Sequence, residues 1–295
     1  MSHNVNLVID KIAAKNPRHA QKLRLDLKEW DQNAIDRFDR FYDRYENYLD
    51  KEGLELDYGV DAYLQIIEKT LQERMRLSVG NRLFSEPQLA QTQQGESEVY
   101  LNGMMFARFL WRQQFGLSRF YQESLSSFAK GPLRYLELCG DQWVWVEDTM
   151  DLIGWTGVYD VMEFSEGTSD VAHEYMPGRP ISFLEGGLDN FQTERKYDLI
   201  VLGQILGRMP NPSLTLLKIK SLLSPQGSIF FSATVNAPVR SRRGFSSLHI
   251  LKELIHEAGL SIEKDITIVS DDLPMDRVEP LKAAISYGAF LKLNT

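Results

Sequence analysis

YDLIVLGQILGRMPNPSLTLLKIKSLLSPQGSIFFSATVNAP, residues 197–238, decides the fold. A short apolar run (197–203) meets a turn rich in proline and asparagine (209–212). An apolar stretch with helical spacing follows (213–223), and after Pro225 and Gly227 a second short apolar run begins (228–235). Runs this short, apolar on successive residues, suit strands buried on both faces. A strand, a helix and a second strand in that order form the unit of a parallel sheet with the helix laid against one face.

The same grammar extends outward over everything after Gly131-Pro132. LRYLEL, GVYDVMEF, ISFLEG, EKDITIVS and AISYGAFLKL read as strands, while WVWVEDTMDLI, SDVAHEYM and SLHILKELIHEAG read as helices. The last two strand runs have no helical period between them, which predicts an antiparallel hairpin at the sheet edge. The expected fold is therefore α/β: a doubly wound, seven-stranded, mostly parallel sheet over residues 131–295. Such sheets bind ligands at the carboxyl ends of their strands, near the point where strand order reverses. That rule directs attention to residues 137–143, 163, 187–191 and 203–209.

Residues 1–130 carry a different pattern. DLKEWDQNAIDRFDRFYDRYENYLDKEG spaces Trp30, Ile35, Phe38, Phe41, Tyr42, Tyr45 and Tyr48 mostly three and four apart, one face of a helix ending at Gly53. Leu64, Ile67, Leu71 and Met75 repeat that spacing, and 78–98 reads as a loop with at most a short helix. The run from Val99 to Phe128 is apolar nearly all round and needs cover on more than one side. This half is expected to be an all-helical N-terminal cap that packs over the carboxyl ends of the sheet, with lid and dimerisation roles. Within it, Tyr58 and Tyr63 are the candidate substrate or lid residues, because Gly59 is expected to break the helix there and act as a hinge. The Phe38–Tyr48 stripe reads as core packing.

The chain has 295 residues, 43% hydrophobic and 25% charged, with a net charge of −8 and a single cysteine. One cysteine excludes an intramolecular disulfide and a multi-cysteine metal site. The acidic balance, without a long basic block, argues against nucleic-acid binding. No apolar run reaches the roughly 18 residues of a membrane span, and the first residues lack a secretory core. A cytoplasmic protein without membrane attachment is expected. Cys139 reads as a packing residue rather than a nucleophile, and His173 and His249 as surface or interface residues, so no metal is expected.

The strand–helix half resembles the class I S-adenosylmethionine-dependent methyltransferases over about 160 residues. Asp198, Pro210, Pro225, Gly227, Asn236 and Pro238 fill the places of that family's Asp-centred fourth strand, helix-opening proline, Pro-x-Gly turn and Asn-x-Pro exit. The segment LELDYGVDAYLQIIEKTLQERMR also resembles the helical cap of members that act on small metabolites, which implies a small-molecule substrate and (secondary) metabolism.

The resemblance implies S-adenosylmethionine as cofactor and indicates where its contacts fall. The family's first loop reads acid-x-Gly-x-Gly-x-Gly. Aligned on Glu137, its glycine places hold Cys139, Asp141 and Trp143, with Gly140 rescued only by a one-residue contraction. The ribose-gripping acid corresponds to Glu163, next to Phe164, with Asp160 as the alternative. The adenine-contacting Asp falls on Gly187, beside Leu188, and Asp189 comes two residues late. After the fourth strand, Gly203 and Gln204 complete the expected cofactor contacts. The family's Glu-His pair is replaced by Gly207 and Arg208. Arg208 and Asn236 join the substrate candidates, and the arginines of residues 239–244 read as a solvated loop, with an anionic ligand or partner as the alternative.

Two changes in the first loop have physical consequences. Asp141 would stand near the cofactor's own carboxylate, a repulsion on the order of 1–4 kcal/mol at short range. Trp143 needs ~200 Å² of cover where the family leaves no room. The expectation is a diverged, non-canonical member with an eroded site that binds S-adenosylmethionine weakly or not at all. The alternatives are an active small-molecule methyltransferase with an unusual loop, a relative catalysing another reaction, and a non-catalytic subunit. The expected partner is a second copy or a related chain. No catalytic residue is assigned by the sequence.

Overall fold

The structure is a computed structural model that describes residues 1–78, 94–138, 143–162, 168–184, 186–236, 244–269 and 283–294. It divides into two compact units, Met1–Arg112 with Gly167–Gly178, and Gln113–Glu166 with Arg179–Thr295.

The first unit is helical among its described residues. It holds α1 (His3–Lys15), α2 (Pro17–Asp26), α3 (Gln32–Glu52), α4 (Leu56–Ser78) and α5 (Gln94–Leu110). Local chemistry sets the boundaries. Ser2, Asn16 and Asp31 each accept a backbone N–H of the first turn of α1, α2 and α3, and Pro17 stands at the first position of α2. Gly53 closes α3 in the left-handed conformation, φ 66°. The aromatic stripe of α3 is core, as expected. Phe38 and Phe41 lie 5.3 and 5.0 Å from the ring of Phe109, and Phe106 meets Phe41 edge-on at 5.4 Å. Tyr175, in the short helix α8 (Thr168–Tyr175), adds its ring to the same cluster.

The second unit opens with α6 (Arg112–Phe128). The long apolar run from Val99 is thus two helices, parted at Trp111, and the second of them packs on the sheet through Tyr121 and Phe230, 4.7 Å apart. The strands are β1 (Arg134–Leu138), β2 (Val158–Met162), β3 (Ile181–Leu184), β4 (Tyr197–Gly203), β5 (Leu223–Val235), β6 (Leu260–Val269) and β7 (Ile285–Leu293). Between them run α7 (Val144–Ile153), α9 (Pro212–Leu222) and α10 (Leu248–Glu257). The sheet order is β3-β2-β1-β4-β5-β7-β6. β1 to β5 pair in parallel, and β7 inserts antiparallel between β5 and β6, the expected edge hairpin.

Alternation along the strands builds two different faces. Leu136, Leu138, Ile200, Leu202, Ile229, Phe231, Tyr287 and Leu291 point into one apolar core with Leu216 and Ile219 of α9 and Leu251 and Ile255 of α10. The residues between them in sequence, including Tyr135, Glu137, Phe230 and Phe290, face α6 and α7. Strand order reverses between β1 and β4, so the crevice for a ligand lies outside the carboxyl ends of these two strands.

Candidate functional site

The geometry at the carboxyl end of β1 centres on Glu137, which has no exposed surface. Its Oε2 accepts the Tyr135 hydroxyl at 2.7 Å and the Val146 backbone N–H at 2.7 Å. Val146 is the third residue of α7, and Trp143, at the cap position, makes no side-chain cap bond. Glu137 therefore supplies from the strand the N-terminal cap that the helix lacks. Its Oε1 has no hydrogen-bond partner. Burial pushes the carboxyl up to about 8, hydrogen bonds from the Tyr135 hydroxyl and the Val146 and Trp145 backbone N–H groups oppose it, and the charge of Asp148 adds to the rise.

A polar network continues from there. Tyr121 and Thr149 share a hydrogen bond at 2.5 Å, Thr149 donates to the Trp145 carbonyl at 2.6 Å, and Ser118 donates to Asp148 at 2.8 Å. Trp143 and Trp145 are both buried. The indole nitrogen of Trp145 lies against Gly203, the last residue of β4, so closely that a Cβ at 203 would overlap it. Gly203 is thus required by an aromatic neighbour from α7.

At the ends of β4 and β5 stand Gln204 and Asn236, with φ of 59° and 58°; among the described residues these are the two non-glycines in the left-handed region. Such a conformation costs on the order of 1–3 kcal/mol and persists only when its surroundings hold it. The backbone N–H of Gln204 donates to both the carbonyl and the hydroxyl of Ser232, each at 3.1 Å, and its Oε1 accepts from Thr234 at 3.2 Å. Asn236 donates through Nδ2 to the Ala283 carbonyl at 3.1 Å.

The remaining candidates separate. Gly187 is extended, opens a short turn (Leu188–Asn190), and has nothing within 4 Å of where a Cβ would point. Leu188 packs into the apolar core instead of facing a ligand. Asp160, the alternative ribose acid, is committed elsewhere: it accepts from Tyr197 at 2.7 Å and pairs with Arg195 at 2.6 Å. Cys139, Gly140, Asp141, Glu163 and Phe164 lie outside the described residues, as do the arginines at 240, 242 and 243 and the side chains of Asp189 and Arg208.

In the helical unit the hinge expectation is corrected. α4 runs unbroken through Gly59, and a Cβ there would strike the Tyr45 hydroxyl and the Phe106 ring. Gly59 is a close-packing point between helices. Tyr63 is fully buried, with its hydroxyl 2.9 Å from the His19 ring nitrogen, while Tyr58 donates to Glu98 at 3.2 Å. Trp145, Ser232 and Thr234 were not among the sequence candidates. Their parts depend on contacts between strands and helices far apart in the chain, which local spacing does not encode.

Among the described residues, no group of His, Cys, Asp or Glu is arranged to hold a metal. None of the described helices is long and apolar enough to cross a membrane.

Strand order β3-β2-β1-β4-β5-β7-β6 with an antiparallel β7, and a crevice at β1 and β4, define the class I methyltransferase fold. The chain belongs to the S-adenosylmethionine-dependent methyltransferase family: residues 110–263 match the family profile described as Methyltransferase domain. No curated protein matches the sequence. Among solved structures it is similar to the N-methyltransferase NodS from Bradyrhizobium japonicum WM9, in complex with S-adenosyl-L-homocysteine. Identity there is 15%, the TM-score is 0.53, and the match covers 68% of this chain and 98% of that one. A putative sarcosine dimethylglycine methyltransferase from Galdieria sulphuraria matches at 12% identity and TM-score 0.49, covering 62% and 86%. The [4+2]-cyclase SpnF matches at 13% and 0.47, covering 61% and 82%. At these identities the likeness is one of fold.

Proposed function

We propose that this chain is a diverged methyltransferase-family protein of small-molecule metabolism whose S-adenosylmethionine site is eroded, so that the cofactor binds weakly or not at all. The observation that carries the reading is Trp145 seated on Gly203, at the carboxyl end of β4 where strand order reverses beside β1. Two further features support it. Glu137 is spent on the cap of α7 and has no exposed surface to offer a ligand. The three glycine places of the first loop hold Cys139, Asp141 and Trp143, which restrict how closely backbone amides can approach a ligand. The protein partner in this reading is a second copy or a related chain.

One observation favours the alternative of an active enzyme with an unusual loop. Gln204 and Asn236 keep strained backbones at the carboxyl ends of β4 and β5, the place where functional sites store strain. Calorimetric titration with S-adenosylmethionine and S-adenosylhomocysteine decides between the two. The eroded site predicts dissociation constants of about 1 mM or weaker, or −4 kcal/mol at best. Micromolar binding would overturn the proposal and restore the active methyltransferase.

A further inference from the structure

At the carboxyl ends of β4 and β5 and the start of β7, the sheet face toward α6 and α7 ends in a row of uncharged polar side chains. Thr234 pairs in register with Ser286 of β7, so both hydroxyls share the face of Ser232 and Phe230. The Thr234 hydroxyl donates to Oε1 of Gln204, which carries the row across to β4. Ile268 of β6, opposite Ser286, ends it on the other side. The row thus runs from β4 away from β1, on the side of β4 opposite the crevice expected to hold the cofactor.

Its hydrogen-bonding capacity is only partly used. Gln204 has Oε1 engaged, but its Nε2 has no partner among the described residues. Asn236, two residues beyond Thr234, gives Nδ2 to the Ala283 carbonyl and leaves Oδ1 without a donor. Ser286 is 5% exposed, and its hydroxyl likewise has no described partner. A buried hydroxyl left unpaired is costly. Water at a strand end would account for the two amides, but it leaves the backbone unexplained. Gln204 and Asn236 hold left-handed conformations that glycine adopts freely, so their side chains are kept against a backbone cost. One free donor and two free acceptors are the complement of a primary carboxamide, which presents one carbonyl and two N–H groups. None of Gln204, Thr234, Asn236 and Ser286 can carry a charge. A charged ligand group placed on them would lose water without gaining a counter-charge.

We propose that Gln204, Asn236 and Ser286 form a binding site for the uncharged carboxamide of a small molecule. Nε2 of Gln204 donates to the carbonyl, and Oδ1 of Asn236 and the Ser286 hydroxyl accept the amide N–H groups. The site rests on the small-molecule part of the function proposed above, and not on the state of the cofactor crevice.

The experiment titrates the full chain, with no S-adenosylmethionine present, against benzamide, N,N-dimethylbenzamide, benzoate and benzylammonium. Binding is followed by ¹H–¹⁵N NMR, with the Gln204 and Asn236 side-chain amides assigned through Gln204→Met and Asn236→Gly. Benzamide should move both signals saturably. The dimethyl compound lacks the N–H groups and the two ions carry charge, so each should bind about tenfold more weakly or worse. Gln204→Met and Ser286→Ala should each weaken benzamide by about three- to tenfold, the range for one neutral hydrogen bond. Benzoate or dimethylbenzamide binding as tightly as benzamide would overturn the site. So would an unchanged benzamide constant in both variants, or no saturable shift up to about 10 mM. If a variant does not fold, the ranking of the four compounds on the unaltered chain decides. Micromolar binding of S-adenosylmethionine, which would overturn the eroded cofactor site, leaves that ranking untouched.

Discussion

The two faces of the sheet are built from neighbouring residues by different chemistry. Phe231 turns toward α9 and α10, into a mainly aliphatic core where Tyr287 stands 5.8 Å from its ring. Phe230, one residue earlier, turns toward α6 and α7, where Tyr121, Trp145 and Phe290 stand 4.7, 4.9 and 5.0 Å from its ring. The first face is held by area removed from water, which is non-directional and tolerant of exchange between similar side chains. The second depends on ring geometry and on hydroxyls and carboxyls that must each find a partner. The lesson is that one sheet can keep a generic face held by buried area and a specified face whose contacts are fixed residue by residue. In this chain the specified face carries Glu137, Trp145 and the Ser232 that holds Gln204.

The largest effect expected from testing this contrast comes from the paired phenylalanines. Phe230→Ala and Phe231→Ala should each lose roughly 3–5 kcal/mol in denaturant unfolding, since both are fully buried. Leucine should separate them. At 231 an apolar swap of similar size should cost less than about 1.5 kcal/mol. At 230 the lost ring contacts should add about 0.5–1.5 kcal/mol for each close pair. Equal costs for the two leucine variants would erase the distinction between the faces.

A smaller effect tests the polar network directly. Tyr121→Phe keeps the ring and removes the hydrogen bond to Thr149, so unfolding should show a loss of about 1 kcal/mol. A loss that small would assign most of the Tyr121 contribution to its ring. The smallest effect should carry the opposite sign. Gln204→Gly relieves a left-handed backbone while forfeiting the Thr234 contact, and should stabilise the fold by up to about 1 kcal/mol. A clear destabilisation would show that the Thr234 contact outweighs the strain, and that the Gln204 side chain serves the fold itself.

Much of the architecture could be read before any coordinates. Alternating short apolar runs and helical stretches placed the seven strands, and the missing helical period before residue 284 identified the antiparallel edge. The apolar 3–4 spacing of α3 marked its core face. The candidate site was legible only as a region. The strand ends at 137, 187 and 203 were located, but the role of each side chain was not. Glu137 looks in sequence like a ligand-facing acid, and the fold uses it as a helix cap. Gly59 looks like a hinge, and the fold uses it to let Tyr45 and Phe106 approach α4.

The sequence by itself determined what depends on near neighbours: the period of apolar residues and the glycine at 53 that ends α3. These signals are local because secondary structure repeats over a few residues, and a misplaced polar group is costly at once. Only the tertiary structure decided which of two adjacent phenylalanines meets the aromatic cluster, why residue 203 is glycine, and that Glu137 Oε2 receives the Tyr135 hydroxyl and the Val146 N–H. Each of these is set by a strand and a helix that meet through the sheet, and burial, rather than residue type, fixes whether a carboxyl there is charged or neutral.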